Sequence, residues 1–186
     1  TGGESMKYYK TAMIRPDLQW IPGYSLPDGY KLQLFQEKDE IRWAQIVCAA
    51  GEFPSVDDAL KHFENEFSPY TEEMKKRCVF LTSPDNEYIG TTTAWYGDFQ
   101  GERMGRIHWV AIKPEYQGRG LAKPMLSYAL SVLAQYHDRA YLTTQTVSWK
   151  AVNMYLSFGF RPVKRSDDDE DFDTAWALIY EQLKLK

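Results

Sequence analysis

The sequence predicts an α+β fold with a mixed, mostly antiparallel sheet flanked by helices. Segments with strand alternation and segments with helical spacing follow one another along the chain, and short turns join consecutive strands. Neither an internal repeat nor a long linker divides the 186 residues. Because 44% of the residues are hydrophobic and 26% are charged, the composition is that of one packed globular domain.

The chain is expected to begin with an extended arm. Residues 1–29 are rich in proline and glycine, and they include a short segment over 8–14 that reads as a strand. The first five residues are set apart as a remnant of an expression tag. We therefore expect an N-terminal arm over 1–29 and a single domain over 30–186.

A strand and two helices are predicted next. Alternating apolar residues predict a strand over 30–36, and an apolar stripe at helical spacing predicts a helix over 39–50. Ser55 and Asp58 form a capping-box pattern that opens a second helix. That helix is expected to end before Pro69, since proline closes helices.

The middle of the chain predicts most of the sheet. Strands are expected over 77–82, 88–96 and 106–112, with turn residues between the first two and a glycine-containing loop before the third. A long amphipathic helix follows over 120–136. Residues 140–146 are rich in strand-forming side chains and predict the next strand.

The last part of the chain predicts a short helix over 149–158 and two final strands over 160–163 and 174–180. Between these strands, residues 167–173 contain six acids in seven positions. Such a run is either a solvated loop or an acidic lip that steers a cationic substrate. The solvated loop is favoured, because charge runs alone rarely specify chemistry.

Charge and cysteine content exclude several classes of protein. The 22 Lys and Arg against 26 Asp and Glu give a formal charge of −4, which disfavours binding to nucleic acid or to an anionic membrane. The longest apolar run has six residues, 175–180, whereas a membrane-spanning helix needs about twenty. Cys48 and Cys78 lack metal-ligand spacing, so we expect buried free thiols, no metal and a cytoplasmic location.

The most informative segment lies between the strand ending at Ile112 and the helix that follows Pro114. The first amides of a helix lack intrahelical acceptors and lie at the positive end of its dipole, and glycines let a backbone approach an anion closely. The segment therefore predicts a pyrophosphate cradle, or else only a tight strand-to-helix turn. The cradle residues are Gln117, Gly118, Arg119, Gly120, Leu121 and Ala122.

Two blocks of this sequence resemble the signature of the GNAT superfamily of acyl-CoA-dependent N-acetyltransferases. In the first, Q-x-x-G-x-A follows a strand ending in I-K-P. The second matches the family pattern N-x-x-A-x-x-x-Y-x-x-x-G-F except at its first position. Its residues are Ser148, Ala151, Tyr155, Gly159 and Phe160. The resemblance covers residues 30–183, agrees with the predicted element order and implies a GNAT-like fold.

The resemblance implies acetyl-CoA as co-substrate and assigns residues to it. Main-chain groups of Val110, Ala111 and Ile112 are expected to hold the pantetheine and to polarise the acetyl carbonyl; the same residues also read as core. Ser148 stands where the family usually has an asparagine that hydrogen-bonds CoA. Because serine has a shorter reach, Ser148 is either a weaker cofactor contact or simply the N-cap of the following helix.

Two residues are candidates for proton transfer. His108 lies at a strand position where some relatives carry a catalytic histidine, and histidine titrates near neutrality. It is either the base that activates the amine or a hydrogen-bonded core histidine. Strand alternation places it on one face with Val110 and Ile112. Tyr155 matches the family's general-acid tyrosine, and its alternative role is packing on the apolar face of its helix.

The sequence as a whole predicts an acetyl-CoA-dependent N-acetyltransferase that moves the acetyl group directly to a primary amine. The alternatives are a non-catalytic module that binds or senses acyl-CoA, and an enzyme that uses a longer acyl group. The acceptor is expected to be a small molecule or a peptide, bound near the early helices and the loop over 97–105. Trp95, Tyr96 and Phe99 would line an aromatic cleft there, and a homodimer is common among similar proteins.

Overall fold

The computed structural model describes residues 6–184, so the first five residues, set apart above as a tag remnant, lie outside the described part. The strands are β1 Lys10–Arg15, β2 Lys31–Leu34, β3 Cys78–Thr82, β4 Tyr88–Phe99, β5 Glu102–Ile112, β6 Ala140–Gln145 and β7 Arg161–Val163. The helices are α1 Glu40–Ala49, α2 Val56–Glu66, α3 Thr71–Arg77, α4 Ala122–Tyr136, α5 Trp149–Ser157 and α6 Phe172–Lys184.

The seven strands form one sheet in the order β2-β3-β4-β5-β6-β1-β7. Neighbouring strands pair antiparallel except for β5 and β6, which are parallel. Strand β1, which comes from the N-terminal arm, lies between β6 and β7, and its Met13 is opposite Leu142 on one side and Pro162 on the other. The predicted class, a mostly antiparallel mixed sheet flanked by helices, is confirmed.

Local signals in the sequence account for the helix ends that matter to the site. The Ser55 side chain accepts a hydrogen bond of 3.1 Å from the Asp58 amide, as the capping box predicts. Helix α1 ends in a Schellman arrangement, in which the amides of Gly51 and Glu52 bond to the carbonyls of Cys48 and Val47. Gly51 has a φ of +90°, which lets the chain turn sharply after α1.

Two predicted elements are wrong. Residues 174–180, expected as a strand, belong to α6, where Ala175, Trp176 and Ile179 are buried at helical spacing against α5 and β1. Residues 97–105, expected as a loop, are mostly strand: β4 and β5 are joined by two residues, Gln100 and Gly101, with φ of 51° and 79°. Positive φ at both positions is the mark of a type I′ hairpin turn. Helix α3 had no counterpart in the sequence prediction.

Helices cover the two sheet faces unequally. On one face α1 and α2 pack an aromatic cluster against β3, β4 and β5, with Trp43, Phe67 and Phe80 almost fully buried. On the other face α4 and α5 cover β5, β6 and β1 with a mixed aliphatic and aromatic cluster that includes Leu126 and Leu130. The sheet therefore lies between two cores, and a gap between two of its strands would connect the two faces.

Both cysteines are free, as expected. Cys78 is buried, and burial raises the pKa of its thiol to about 12, whereas Cys48 is only half-buried. Among residues 6–184, no helix combines the length and the apolar character needed to cross a bilayer. Within the same part of the chain, His, Cys, Asp and Glu side chains form no group of three that could hold a metal ion.

Candidate active site

A cleft opens where the two parallel strands separate. Strands β5 and β6 pair only through Gly105 with Ala140 and Arg106 with Tyr141. Beyond these pairs, the edge of β5 that faces β6 has no strand partner, and a cavity of about 320 Å³ lies in the gap. Its walls include Glu52, Arg106, His108, Val110, Ser148 and Tyr155. Because β5 borders the gap, its backbone groups there are available to a ligand.

A β-bulge in β5 sets the side chains of this wall. Thr91 of β4 is opposite Ala111, but Thr93 is opposite His108, so β5 carries one extra residue between them. Trp109 has a φ of +55°, which is rare and strained for a bulky side chain. The strain lets His108 and Trp109 reach the same side of the sheet, where both contact Glu66.

The predicted alternation along β5 is therefore wrong. It placed His108 on one face with Val110 and Ile112, and Trp109 on the other. In the structure Val110 and Ile112 pack toward α4, whereas His108 and Trp109 face α1 and α2. The bulge shifts the alternation by one residue, so a simple period of two fails at this point.

Four polar groups meet at the end of α2. The carboxylate of Glu66 is hydrogen-bonded to the imidazoles of His108 and His62, and the Trp109 indole donates to it at 3.4 Å. Burial alone would raise the pKa of Glu66, but the hydrogen bonds from His108 and His62 outweigh it and lower the pKa to about 2. Glu66 is therefore an anion near neutral pH.

His108 is held as a neutral imidazole. Its side chain is 12% exposed, and this burial lowers the pKa of His108 below 6.5, although the hydrogen bond to Glu66 opposes the change. Since Glu66 is an anion that only accepts, the Nε2 atom of His108 must carry the proton in that bond. The neutral ring then has an unprotonated Nδ1 that can accept a proton.

Aromatic rings surround this group of charges. The Trp109 ring lies 5.7 Å from the ring of Trp43 and 5.3 Å from that of Phe53, and Phe67 contacts His108 edge-on at 6.0 Å. Rings on these sides exclude water and strengthen the electrostatic coupling between the imidazole and the carboxylate. His108 is thus a buried, hydrogen-bonded histidine that also lines the cleft, so both roles expected from the sequence fit its position.

Tyr155 and Glu52 face the cleft from α5 and from the turn after α1. Tyr155 is only 6% exposed, and burial raises the pKa of its phenol well above the usual range, with the nearby charge of Glu52 as a second cause. Loss of hydration also raises the pKa of Glu52. The phenol is therefore fully protonated near neutral pH and can donate a hydrogen bond into the cleft.

The predicted cradle lies at the far end of β5. A cavity of about 290 Å³ is lined by Ile112 and by five of the six cradle residues, all except Arg119. Gly118 and Gly120 have φ of 75° and 74°, and a Cβ atom on either would meet no atom within 4 Å. The glycines are thus required by their backbone conformation, and the space beside them is open toward the amino end of α4.

Other predicted cofactor residues occupy distinct positions. The amide of Gln117 donates at 2.9 Å to the carbonyl of Ile112, so this side chain secures the end of β5. Arg119 lies over the ring of Tyr116 at 5.0 Å. Ala111 is buried under the aromatic cluster, so a ligand could reach only its backbone.

Ser148 lies in the cleft and does not cap the helix with its side chain. It occupies the N-cap position of α5, yet its hydroxyl makes no capping hydrogen bond. Instead it accepts a hydrogen bond of 2.8 Å from the side-chain amide (Nε2) of Gln145. Of the two roles considered from the sequence, the capping bond is absent and the cleft position is compatible with a ligand contact.

The structure also adds residues that sequence reasoning missed. Glu66, Glu52 and His62 carried no prediction, although His62 and Glu66 are four residues apart on one helix, the spacing of a side-chain pair. Of the three expected acceptor-cleft aromatics, Phe99 lines a surface cavity next to the cleft. Trp95 is instead buried in the aromatic cluster and stacks on Tyr96 at 4.8 Å.

Comparison with known proteins agrees with this architecture. The model of the acetyltransferase (GNAT) family matches residues 39–160. Mycothiol acetyltransferase from Streptomyces griseus subsp. griseus is 27% identical over 137 residues, 73% of this chain and 44% of that protein. The protein of the same name from Streptomyces coelicolor is 26% identical over 142 residues, 75% of this chain and 45% of that protein. The chain thus spans less than half the length of these relatives.

Solved structures share the fold. A GCN5-related N-acetyltransferase from Sphaerobacter thermophilus superposes with a TM-score of 0.66 at 21% identity, covering 83% of this chain and 48% of that one. A GNAT-family acetyltransferase from Colwellia psychrerythraea gives 0.62 at 12% identity, covering 86% and 55%. Identities this low show the fold alone. Because the family model covers well over half of the residues, the chain belongs to the acetyltransferase (GNAT) family.

Proposed function

We propose that this protein transfers an acetyl group from acetyl-CoA to a primary amine by direct transfer within the cleft between β5 and β6. One observation carries the proposal. A protonated Tyr155 and a neutral His108 line the same cavity, one on each side of the unpaired edge of β5. A proton donor and a proton acceptor are the two groups that amide formation from a thioester needs.

The residues present fit acetyl-CoA. The open space beside Gly118 and Gly120, next to the amino end of α4, suits a pyrophosphate, which would accept hydrogen bonds from backbone amides there. The free edge of β5, from Val110 to Ile112, offers backbone groups to the pantetheine amides. Ser148 lines the cleft nearby. When bound, acetyl-CoA supplies the acetyl group and a thiol leaving group.

His108 would make the amine nucleophilic. An alkylamine with a pKa near 10.4 is neutral in only about one molecule in a few thousand at pH 7, so removal of its proton lowers a real barrier. The Nδ1 atom of His108 accepts that proton as the new N–C bond forms. Glu66 holds the ring in the required tautomer and stabilises the imidazolium that results, because its carboxylate stays ionised.

Tyr155 would complete the exchange at the other reacting atom. As the C–S bond breaks, its hydroxyl donates a proton to the departing sulfur. Burial keeps the phenol protonated until that moment. Neither free cysteine lines the cavity, which favours direct transfer over an acyl-enzyme. The related Streptomyces proteins are named acetyltransferases, which supports an acetyl group over a longer acyl chain.

The proposal is tested by incubating the protein with acetyl-CoA and a panel of amines, with detection of free thiol and mass analysis of the product. We expect thiol release that depends on the amine, together with an amine product heavier by one acetyl group. Calorimetry with acetyl-CoA and with longer acyl-CoAs measures the chain-length preference in parallel. Tight binding of acetyl-CoA with no thiol release for any amine would instead establish the non-catalytic binding module.

A further inference from the structure

A surface trough lies next to the cleft. It is on the same sheet face as α1 and α2, over the part of that face that these helices do not cover. This trough, a cavity of about 470 Å³, is lined by Lys10, Phe99, Arg106, Tyr141, Thr143 and Arg165, among others. Arg106 and Thr143 also line the cleft, so the two cavities adjoin each other. A molecule whose amine lies beside His108 therefore has the trough as the space for the rest of its body.

Two stacked aromatic rings form the floor of the trough. The rings of Phe99 and Tyr141 stack at 4.7 Å with only 16° between their planes, and both residues are less than 8% exposed. Tyr141 belongs to β6 and Phe99 to β4, so the floor is part of the rigid sheet. Such a surface accommodates the carbon skeleton of a small molecule without having to move.

Two cations at this floor lack a carboxylate partner. Arg106 donates to the hydroxyl of Thr143 at 3.1 Å and lies over the ring of Tyr141, and its Nε is buried without a hydrogen-bond acceptor. Among the described residues, neither Arg106 nor Lys10 has a carboxylate within ion-pair distance.

The other charges around the trough are compensated. Arg165 is bonded to the buried carboxylate of Asp169 through Nε and Nη2, at 3.2 and 3.1 Å. Asp98, the carboxylate that lines the trough, is 79% exposed and lies 3.9 Å from Arg103. Spare positive charge is thus concentrated on Arg106 and Lys10. Of these, Arg106 is half-buried, where an ionic contact is screened less by solvent.

The cleft, on the other side of Arg106, has an acidic wall. Glu52 lines the cleft and is close enough to Tyr155 to influence its ionisation, whereas it does not line the trough. His108 lies between the two charged ends. It is two residues from Arg106 on β5, which corresponds to about 6.6 Å along the strand. The space is therefore negative at the amine end and positive several ångströms away.

We propose that the acceptor is a zwitterionic amine, with its amino group at Glu52 and His108 and an oxyanion, carboxylate or phosphate, at Arg106 and Lys10. The proposal rests on the proposed function, because it takes the cleft to be the place where the amine reacts. Arg106 is the specificity-determining residue. Its guanidinium offers several N–H donors in one plane, which suits carboxylate and phosphate oxygens. Lys10 adds a second positive charge at the rim.

The test compares matched amines that differ only in the oxyanion. The carboxylate arm uses 6-aminohexanoate against hexylamine, and the phosphate arm uses glucosamine 6-phosphate against glucosamine. Binding to the CoA-saturated protein is measured by calorimetry, and acetyl transfer by thiol release. We expect the anionic member of at least one pair to bind about 10- to 100-fold more tightly, the range of a charge-assisted hydrogen bond. The arm that responds identifies the oxyanion.

Variants assign the preference to named residues. Arg106→Gln is expected to reduce it to within about threefold, which is under 1 kcal/mol of discrimination. Arg106→Lys should restore part of it, since the charge returns without the planar donors. Lys10→Gln, at an exposed strand end, should weaken the anionic ligand with no effect on folding. Lys31→Gln, on the distant strand β2, is the control and should change nothing.

Equal binding of both members of both pairs, or a preference that survives Arg106→Gln, overturns the proposal. If Arg106→Gln fails to fold, a preference unchanged in both Lys10→Gln and Arg106→Lys overturns it equally. The two proposals fail separately. Acetylation of neutral and anionic amines at equal rates keeps the acetyltransferase and removes the oxyanion subsite. Oxyanion-dependent binding with no acetylated product keeps the oxyanion subsite and removes the acetyltransferase.

Discussion

The carboxylate of Glu66, the last residue of α2, is hydrogen-bonded to the imidazole of His108 in the middle of β5. Forty-two residues separate the two in the chain, and the bulge at Trp109 is what brings the strand into register for the contact. The carboxylate fixes one ring nitrogen as a donor and leaves the other free. A histidine that is otherwise packed in the core thereby lines the cleft with a ring nitrogen that can accept a proton, as the proposed base requires.

Replacing His108 with alanine should lower kcat/KM for the amine by about 10²- to 10⁴-fold, the usual contribution of a general base. In the wild-type protein the pKa of His108 is lowered below 6.5 by burial, so activity should be present above that pKa and fall as the pH drops through it. The variant should lose this step in the pH–rate profile. His137→Ala, which removes an imidazole that lines neither the cleft nor the cradle, serves as control. A profile that persists in His108→Ala assigns His108 to packing alone.

Glu66→Gln should show how much of the activity depends on the carboxylate that orients the His108 ring, because the ring itself is kept. The amide cannot stabilise an imidazolium as a carboxylate does, so we expect turnover to fall about 10- to 100-fold while the affinity for acetyl-CoA stays unchanged. Because the Glu66 hydrogen bond raises the pKa of His108, its loss should move the acidic limb of the profile to lower pH. ¹⁵N NMR of the His108 ring measures the tautomer directly. If the Nε2–H tautomer is as highly populated in the variant as in the wild type, Glu66 does not set the tautomer.

The same carboxylate makes a prediction about acid stability. The pKa of Glu66 is about 2 in the fold against an ordinary value of 4.5, so its contribution to stability is complete above pH 4.5 and is lost as the pH falls toward 2. The full contribution corresponds to about 3 kcal/mol. Urea unfolding at a series of pH values should show the difference between wild type and Glu66→Gln shrinking over that window. A difference independent of pH would mean that the carboxylate is not stabilised as an anion.

The sequence predicted correctly those helices and strands whose buried residues follow a regular helical or alternating pattern. It failed where tertiary packing, rather than the local pattern, decides the secondary structure. The glycine turn before α4, the helix over 120–136 and the helical position of Tyr155 all follow from local spacing. Residues 174–180 consist of strand-forming and apolar side chains, and only packing on α5 and β1 decides that they are helical. Composition cannot distinguish a short buried strand from a buried helix.

The site residues that the sequence analysis did not find were missed for a different reason. Glu66 looks like any other acid on an amphipathic helix, and its partner His108 is on a distant strand. No local pattern signals the bulge at Trp109, because the strain there is maintained by the surrounding aromatic packing. Long-range contacts of this kind are visible only once the strand register is known.

Gly120 tests the cradle, with Gly101 as a matched control. Both have positive φ, 74° and 79°, and a Cβ atom on either meets nothing within 4 Å. Valine at either position should therefore cost a similar stability, about 1–2 kcal/mol for a left-handed residue. Only Gly120→Val places a side chain in the anion's approach, so we expect its acetyl-CoA affinity in calorimetry to fall by at least about tenfold. Equal affinities in the two variants would remove the cradle from the account.

The most direct measurement is the turnover of Tyr155→Phe with the best acceptor from the amine panel, beside its affinity for acetyl-CoA. The substitution removes one oxygen and leaves the apolar packing of α5 in place, and Tyr128→Phe on the surface of α4 is the control. The hydroxyl acts on charge that appears only during reaction, so binding should be unchanged. We predict a fall in kcat of about 10²- to 10⁴-fold, near-normal affinity and a near-normal melting temperature. A kcat within about threefold of the wild type would contradict proton donation by Tyr155.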